Sequence, residues 1–438
     1  MKEKAILRKR IFTITAAVFL FIICFSAWGE TSMAARPIII VIDPGHGGEN
    51  LGGEYHEYTE KDMTPIVAAS MKEELEKYEG VEVYLTHETD MDMSIKDRAL
   101  FAAEKNADFL FCLHFNMSVN HNLFGSEVWV PATGEYFSKG YAFAEIQMKE
   151  FTDLGLYSRG IKTRINDRNE NYYGILRYCS AEGIPSALIE HCHLDHPKDQ
   201  PFYQPETEEQ LKEFGRMDAA AVAKYFHLKS DILGVDYSDY PVSDIPIPEG
   251  IVRPDETEPE ICTIEVTDMN TQTGEITVHM NAKDSDSYIL YYNYSLNGGN
   301  TYSDLTEWPR PDEWNKSLSE NTFTVTVPFD QEIELRAMAY NGFDVWTESE
   351  ILHIDPIPDP ERLKREAELA KEQALRKQQE TYQEVSMYEK ADEAQSEEAS
   401  PAPVHLILLL GIILIAIIFV SFFMARKIDL LLKDKRKR

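Results

Sequence analysis

Short apolar runs alternate with amphipathic stretches over the first half of the chain. Residues 38–42, 81–86, 109–113, 127–130 and 187–189 are β-rich and apolar. Between them, Val67, Met71, Leu75 and Tyr78 recur at helical spacing, as do Ala219, Val222, Ala223 and Phe226. Strands alternating with helices predict an α/β domain over residues 37–227, its sheet covered on both faces. Residues 228–258 turn acidic and proline-bearing without either period and read as an extended linker. From 259 to 356 about seven short runs alternate, as in Phe323, Val325, Val327 against Thr322, Thr324, Thr326, and Asn297-Gly298-Gly299 supplies hairpin chemistry. That texture predicts an immunoglobulin-like or fibronectin-like β-sandwich. Residues 357–403 are rich in Glu, Lys, Ala and Gln, with only Leu363, Ala367, Ala370 and Ala374 hinting at a face. They predict a charged helical stalk giving way to a disordered segment.

The two ends carry a different pattern. Lys2, Lys4, Arg8, Lys9 and Arg10 precede an apolar run, so residues 1–35 read as a signal peptide or uncleaved signal anchor. Residues 404–424 are almost wholly aliphatic or aromatic, the length of a single transmembrane helix. A basic tail, 425–438, follows. The positive-inside rule then predicts a single-pass cell-membrane protein with its body on the outer, cell-wall side and its C-terminus in the cytoplasm. A formal charge of −32, from 75 acidic and 43 basic residues, argues against a nucleic-acid partner. Four cysteines beyond Cys24, namely Cys112, Cys179, Cys192 and Cys262, show no C-x-x-C pair and read as free thiols.

Chemistry concentrates in the first domain. The run from Ile38 to Ile42 ends in Asp43-Pro44-Gly45-His46-Gly47-Gly48, a buried strand whose turn delivers His46 to its carboxyl end, where ligand sites of open α/β sheets lie. His114 follows the apolar strand 109–113 in the same way. Glu60, in Thr59-Glu60-Lys61-Asp62, has Glu54 and Glu57 as neighbours that compete for its role. A capping box of Thr59 and Asp62 would set it in a helix's first turn. Thr64 as N-cap with Pro65 at the first helical position is the cleaner reading, leaving Glu60 just ahead of the helix. With Glu190 in Ala187-Leu188-Ile189-Glu190, two histidines and two glutamates make the set a hydrolytic zinc site of the His₂Glu type requires.

Five segments in order, residues 40–48, Glu60-Lys61-Asp62, residues 85–90, residues 106–116 and residues 185–190, resemble the zinc-dependent N-acetylmuramoyl-L-alanine amidases of the type 3 family. The resemblance implies a mixed sheet with helices on both faces, one Zn²⁺ held by His46, Glu60 and His114, and Glu190 as the catalytic carboxylate. It implies a peptidoglycan substrate, cut between muramic acid and L-alanine. His87 stands where the family has arginine, and Arg98 matches a recurrent arginine, read as an ion-pair partner. His191, His193 and His196 replace the usual Gly-Phe and Ser-Asn run. On the strand, His191 and His193 would face away from Glu190, and loop or surface histidines able to tune activity near pH 6 to 7 are the simpler reading. A catalytically weak wall-binding scaffold, and a sandwich that recognises an unknown wall polymer or protein, are the competing functions.

Overall fold

The computed structural model describes residues 36–311 and 316–396, with side chains to residue 392. Up to Ile357 the chain forms one compact unit, and the segment from Pro358 is a second.

The first part is a six-stranded sheet with its helices. In chain order its elements are β1 (Ile38–Pro44), a small hairpin of β2 (Glu54–Tyr55) and β3 (Tyr58–Thr59), α1 (Glu60–Leu75), β4 (Val81–Leu85), α2 (Ile95–Lys105), β5 (Phe109–Asn116), β6 (Ser126–Trp129), α3 (Gly134–Leu154), β7 (Ser158–Lys162), α4 (Gly174–Ala181), β8 (Ser186–His193) and α5 (Thr207–Tyr225). Strand order is β4-β1-β5-β8-β6-β7, parallel except where β6 runs against β8, so the sheet is mixed. Side chains alternate between two cores, as the two-residue period of a strand dictates. Ile40, Ile42, Phe109, Phe111, Leu113, Ala187 and Ile189 pack with α1, α3 and α5. Val41, Leu110, Cys112 and Leu188 pack with α2 and α4. Both faces are covered.

The sequence misplaces several boundaries. Tyr78 and Phe226 lie just past their helices, and β7 was not foreseen. Helix α1 begins at Glu60 rather than after Thr64, so Pro65 lies inside it. The earlier start prevails because Glu60 N–H is taken by Gly53 O at 2.9 Å and Lys61 N–H by Leu51 O at 3.1 Å; Thr59 is the N-cap, but its side chain caps no helix amide and its hydroxyl donates to Asp62 instead. Ahead of Pro65, the preceding turn is therefore already fixed.

Two antiparallel sheets follow the short strands β9 (Lys229–Ser230) and β10 (Val235–Asp236). One comprises β11 (Ile261–Asn270), β12 (Glu275–Lys283) and β15 (Glu320–Thr326). The other comprises β13 (Ile289–Ser295), β14 (Thr306–Glu307), β16 (Ile333–Asn341), β17 (Trp346–Glu348) and β18 (Leu352–Ile354). They share one core, in which Ile276, Val278, Phe323 and Val325 meet Ile289, Leu335, Ala337 and Ala339. Residues 345–354 contain two short strands, and 301–305 contain none.

Between the two parts, the acidic segment is docked rather than free: Val252 N–H donates to Ala132 O at 2.8 Å, the Thr163 hydroxyl to Val252 O and the Ser138 hydroxyl to Pro246 O. The two parts also touch directly. Phe124 packs with Leu290, Tyr291 and Leu305. The Tyr291 hydroxyl donates to Phe124 O, and Arg159 Nη2 meets Asp344 Oδ2 at 2.7 Å.

The second unit contains α6 (Pro360–Ser396), a helix of 37 residues whose described side chains are nearly all exposed. Among the described residues no helix is long and apolar enough to cross a membrane. The single-pass placement expected from the sequence is corrected on that finding, because α6 is too rich in charged residues to cross a membrane. The apolar run 404–424, the basic tail and the leader 1–35 lie outside the described residues.

Candidate functional site

The site forms where β1, β5 and β8 end. His114 shares a strand face with Leu110 and Cys112, and Glu190 shares one with Leu188; the two are directly paired in the β5–β8 register. Glu190 therefore stands one strand away from His114, on the same face. His46 leaves β1 through Pro44-Gly45, with its own φ at +69°, a left-handed conformation uncommon outside glycine. Arg98 of α2 fixes that turn. Its guanidinium donates to Asp43 Oδ1 at 2.9 Å, Pro44 O at 2.6 Å and His46 O at 2.6 Å. The buried His87 sits behind the same loop, its Nδ1 3.0 Å from the Thr86 hydroxyl.

Glycine permits the convergence. A Cβ at Gly45 would stand 2.5 Å from His114 Cε1, and one at Gly52 would stand 2.6 Å from both Glu60 Oε2 and His46 Cδ2. With neither present, His46 Nε2 lies 3.0 Å from Glu60 Oε2, His114 Nδ1 lies 2.7 Å from Glu60 Oε1, and the two imidazole nitrogens are 3.1 Å apart. Backbone N–H groups of Gly53 and Phe115 hold the two Glu60 oxygens at 2.8 and 2.9 Å. Burial alone would push the Glu60 carboxyl up, but His114 and His46 hold it well below the carboxylate range.

Three ligand atoms of His46, Glu60 and His114 all lie within 4.8 Å of one another. His46 Nδ1–H donates to Asn50 Oδ1 at 3.0 Å, which leaves the Nε2 lone pair facing inward. The two imidazole nitrogens, 3.1 Å apart, approach the roughly 3.3 Å edge of a tetrahedron with metal bonds of about 2.0–2.1 Å, and each faces its own Glu60 oxygen, at 3.0 Å for His46 and 2.7 Å for His114. The residues fit zinc, both in donor type and in spacing.

Glu190 lines the same cavity, of about 390 Å³, with apolar Ile95, Ile175 and Leu188. Its Oε2 is buried with no hydrogen-bond partner among the described residues. Burial first, then the negative Glu60 and Glu127, push its carboxyl well above the ordinary range. A carboxyl with no ion pair among the described residues, beside a set able to hold a metal, can accept and return a proton.

The structure thus brings together all four residues singled out in the sequence. Glu54 and Glu57, the competitors of Glu60, stay outside the cluster. His191 and His193 are buried, not loop or surface residues. His191 faces away from Glu190, with Nδ1 2.9 Å from His114 O and Nε2 2.8 Å from Asp218 Oδ2. His193 is pushed down to about 4, by burial and then by Arg159, below the pH 6 to 7 range expected of it. His196 is partly buried and stacks on Phe124. Sequence reasoning missed Asn50 and Glu127. Glu127 accepts from Asn116, Trp129, Arg159 and Lys162; an acidic residue amid a β-rich apolar run was its only signal.

Residues 40–222 match the family described as N-acetylmuramoyl-L-alanine amidase. The N-acetylmuramoyl-L-alanine amidase AmiC of Escherichia coli O6:H1 is 33% identical over 100 residues, 22% of this chain and 24% of that protein. The probable cell wall amidase LytH of Staphylococcus aureus is 26% identical over 186 residues, 42% of this chain and 57% of that one. The chain therefore spans about a quarter of the first relative's length and little over half of the second's. Among solved structures, Cwp6 from Clostridium difficile aligns with a TM-score of 0.41 at 26% identity, covering 44% of this chain and 30% of its own.

Proposed function

We propose, on the premise that residues 40–222 are a domain of the amidase type 3 family, that the protein hydrolyses the amide between the lactyl group of N-acetylmuramic acid and L-alanine in peptidoglycan. The observation that carries this reading is the convergence of His46, Glu60 and His114 in one cavity with an unpartnered Glu190.

His46, Glu60 and His114 would hold the metal, with Asn50 and the Gly53 and Phe115 amides orienting the ligands. The chemistry zinc brings to such a set is Lewis acidity toward water and an amide carbonyl. Glu190 takes a proton from the water whose oxygen attacks the carbonyl carbon, then passes it to the nitrogen as the C–N bond breaks and L-alanine leaves as a free amine. Buried Ile175 and Leu188 line the cavity beside Glu190, and that burial favours the proton on its carboxyl. In the second part, β11-β12-β15 facing β14-β13-β16-β17 supports a fibronectin-like order of strands.

Digestion of purified peptidoglycan by the full chain tests the proposal, with products read for peptides that begin in a free L-alanine amine. Release is expected, and it should disappear with chelator. Glu190→Ala should abolish it, a loss of at least about 10²-fold, while still binding one zinc. Zinc bound by the unaltered chain without amine release would sink the hydrolytic reading in favour of a scaffold.

A further inference from the structure

A second cavity, of about 370 Å³, lies beside the first, and Asn116 and Tyr173 line both. Its volume is within the roughly 300–1,000 Å³ of small-ligand sites. Its far wall does not come from the catalytic domain. Asp255 and Glu256 of the docked segment and Phe343 and Asp344 of the turn between β16 and β17 close it. Such a wall is built only because the second module is held against the first.

The charges of this chamber are specific. Asp344 spends Oδ2 on Arg159 at 2.7 Å, yet its Oδ1 is buried with no hydrogen-bond partner among the described residues. The turn that presents it is fixed: Asn341 Oδ1 accepts the N–H groups of Phe343 and Val345 at 2.9 and 3.0 Å. Asp344 itself is held at a φ of +67°. A buried acceptor left open in this way can take a donor from a ligand or from water. At the exposed rim stand Arg164, its guanidinium 3.8 Å over the Tyr172 ring, and Glu256. A cation at the rim and open carboxylates beside it match a peptide, which offers amide or ammonium donors and a carboxylate. An N-acetylated sugar offers neither charge.

We propose that this chamber receives the peptide arm of the substrate, with an N–H or ammonium donor on Asp344 Oδ1 and a peptide carboxylate on Arg164. The second module then sets how much peptide the enzyme requires. The inference rests on the amidase reading for the identity of that peptide, but not for the binding itself.

Two measurements on the zinc-loaded full chain decide it. In the first, kcat/KM is compared for N-acetylmuramic acid carrying L-alanine alone and carrying a four-residue peptide with a diamino acid at position three. The longer substrate should be preferred by at least about tenfold, and Arg164→Ala should erase most of that preference, since charge-assisted contacts are the strong ones. Equal rates on both substrates, or an unchanged ratio in the variant, would overturn the proposal. In the second, the free tetrapeptide is titrated calorimetrically without any turnover. Binding that weakens about tenfold in Arg164→Ala supports the chamber even if neither substrate is cut, in which case only the amidase reading falls. Absent peptide binding refutes the chamber, and so does an Arg164-dependent preference for an N-acetylglucosamine oligomer.

Discussion

At the scale of single residues, the ligand set depends on groups that never touch a metal. Asn50 fixes the His46 ring by accepting from Nδ1 at 3.0 Å, and such outer partners typically cost 10–100-fold in metal affinity when lost. Asn50→Ala should weaken zinc binding by about that factor in a chelator competition; unchanged affinity would mean the turn alone orients His46. A second residue-scale prediction concerns His193 and Asp199, 3.8 Å apart and buried. Burial pushes the Asp199 carboxyl up to about 6 despite the His193 and Gly125 amides that favour its charge. A raised carboxyl stabilises the fold fully below its unfolded value, and that contribution is lost as pH rises through about 6. His193, pushed down to about 4, contributes fully above its unfolded value near 6.5, and that is lost as pH falls toward 4. Between pH 4 and 6 the two oppose each other. Asp199→Asn should therefore expose the histidine, so that denaturant midpoints drop more steeply than wild type from pH 6.5 to 4; parallel curves would refute the pairing. His46, His114 and Glu190 were legible because a strand end is local. Asn50 was not, since an asparagine in a glycine-bearing loop carries no sign of which ring it meets, and His193 looked exposed because its burial comes from elements distant in sequence.

At the scale of elements, helix packing beneath the site turns on one glycine. Gly215 of α5 meets α1, and an added Cβ would stand 2.5 Å from Val67 O, 2.7 Å from Met71 N and 2.7 Å from Ser70 Cβ. Two of those three atoms are backbone, which cannot rotate away. Gly215→Ala gains helix propensity of up to about 1 kcal/mol, but forcing two helices apart costs about 1–3 kcal/mol. We expect net destabilisation, seen as a lower thermal midpoint, and because α1 begins with Glu60, a weaker zinc affinity as well. A higher midpoint would mean that α1 yields readily. The sequence placed both helices from their apolar stripes, yet read the start of α1 five residues late. Proline at the first helical position is a sound local rule. Here tertiary contacts override it: the hairpin β2–β3 delivers Gly53 O to the Glu60 amide, and two backbone amides claim the Glu60 carboxylate.

At the scale of the molecule up to Ile357, the alternating patterns identified two β-bearing modules but were silent on their docking. The residues that join them, Phe124, Arg159, Tyr288, Tyr291 and Asp344, are scattered over more than two hundred positions and share no local pattern. The joint is polar, and its cations are buried. Arg159 is 2% exposed, with Nε on Glu127 at 2.9 Å, Nη1 on the Tyr291 hydroxyl at 3.0 Å and Nη2 on Asp344 at 2.7 Å. Lys162, equally buried, adds a bond to Glu127 at 2.8 Å. Melting the second module alone would strip Asp344 and Tyr291 from this network and uncover Phe124. The Arg159 bonds to Tyr291 and Asp344 are then lost together with the apolar contact of Phe124, and nothing in the first module replaces them. Independent melting is therefore penalised, and a single calorimetric transition is expected, with its enthalpy equal to the van't Hoff value. Arg159→Ala should lower stability by about 3–5 kcal/mol and split the trace, because Asp344 then loses its close cation while Glu127 keeps only Lys162. Two transitions in the unaltered protein would show that the modules merely touch, and a chamber walled by Asp344 would then lack the fixed geometry that peptide binding requires.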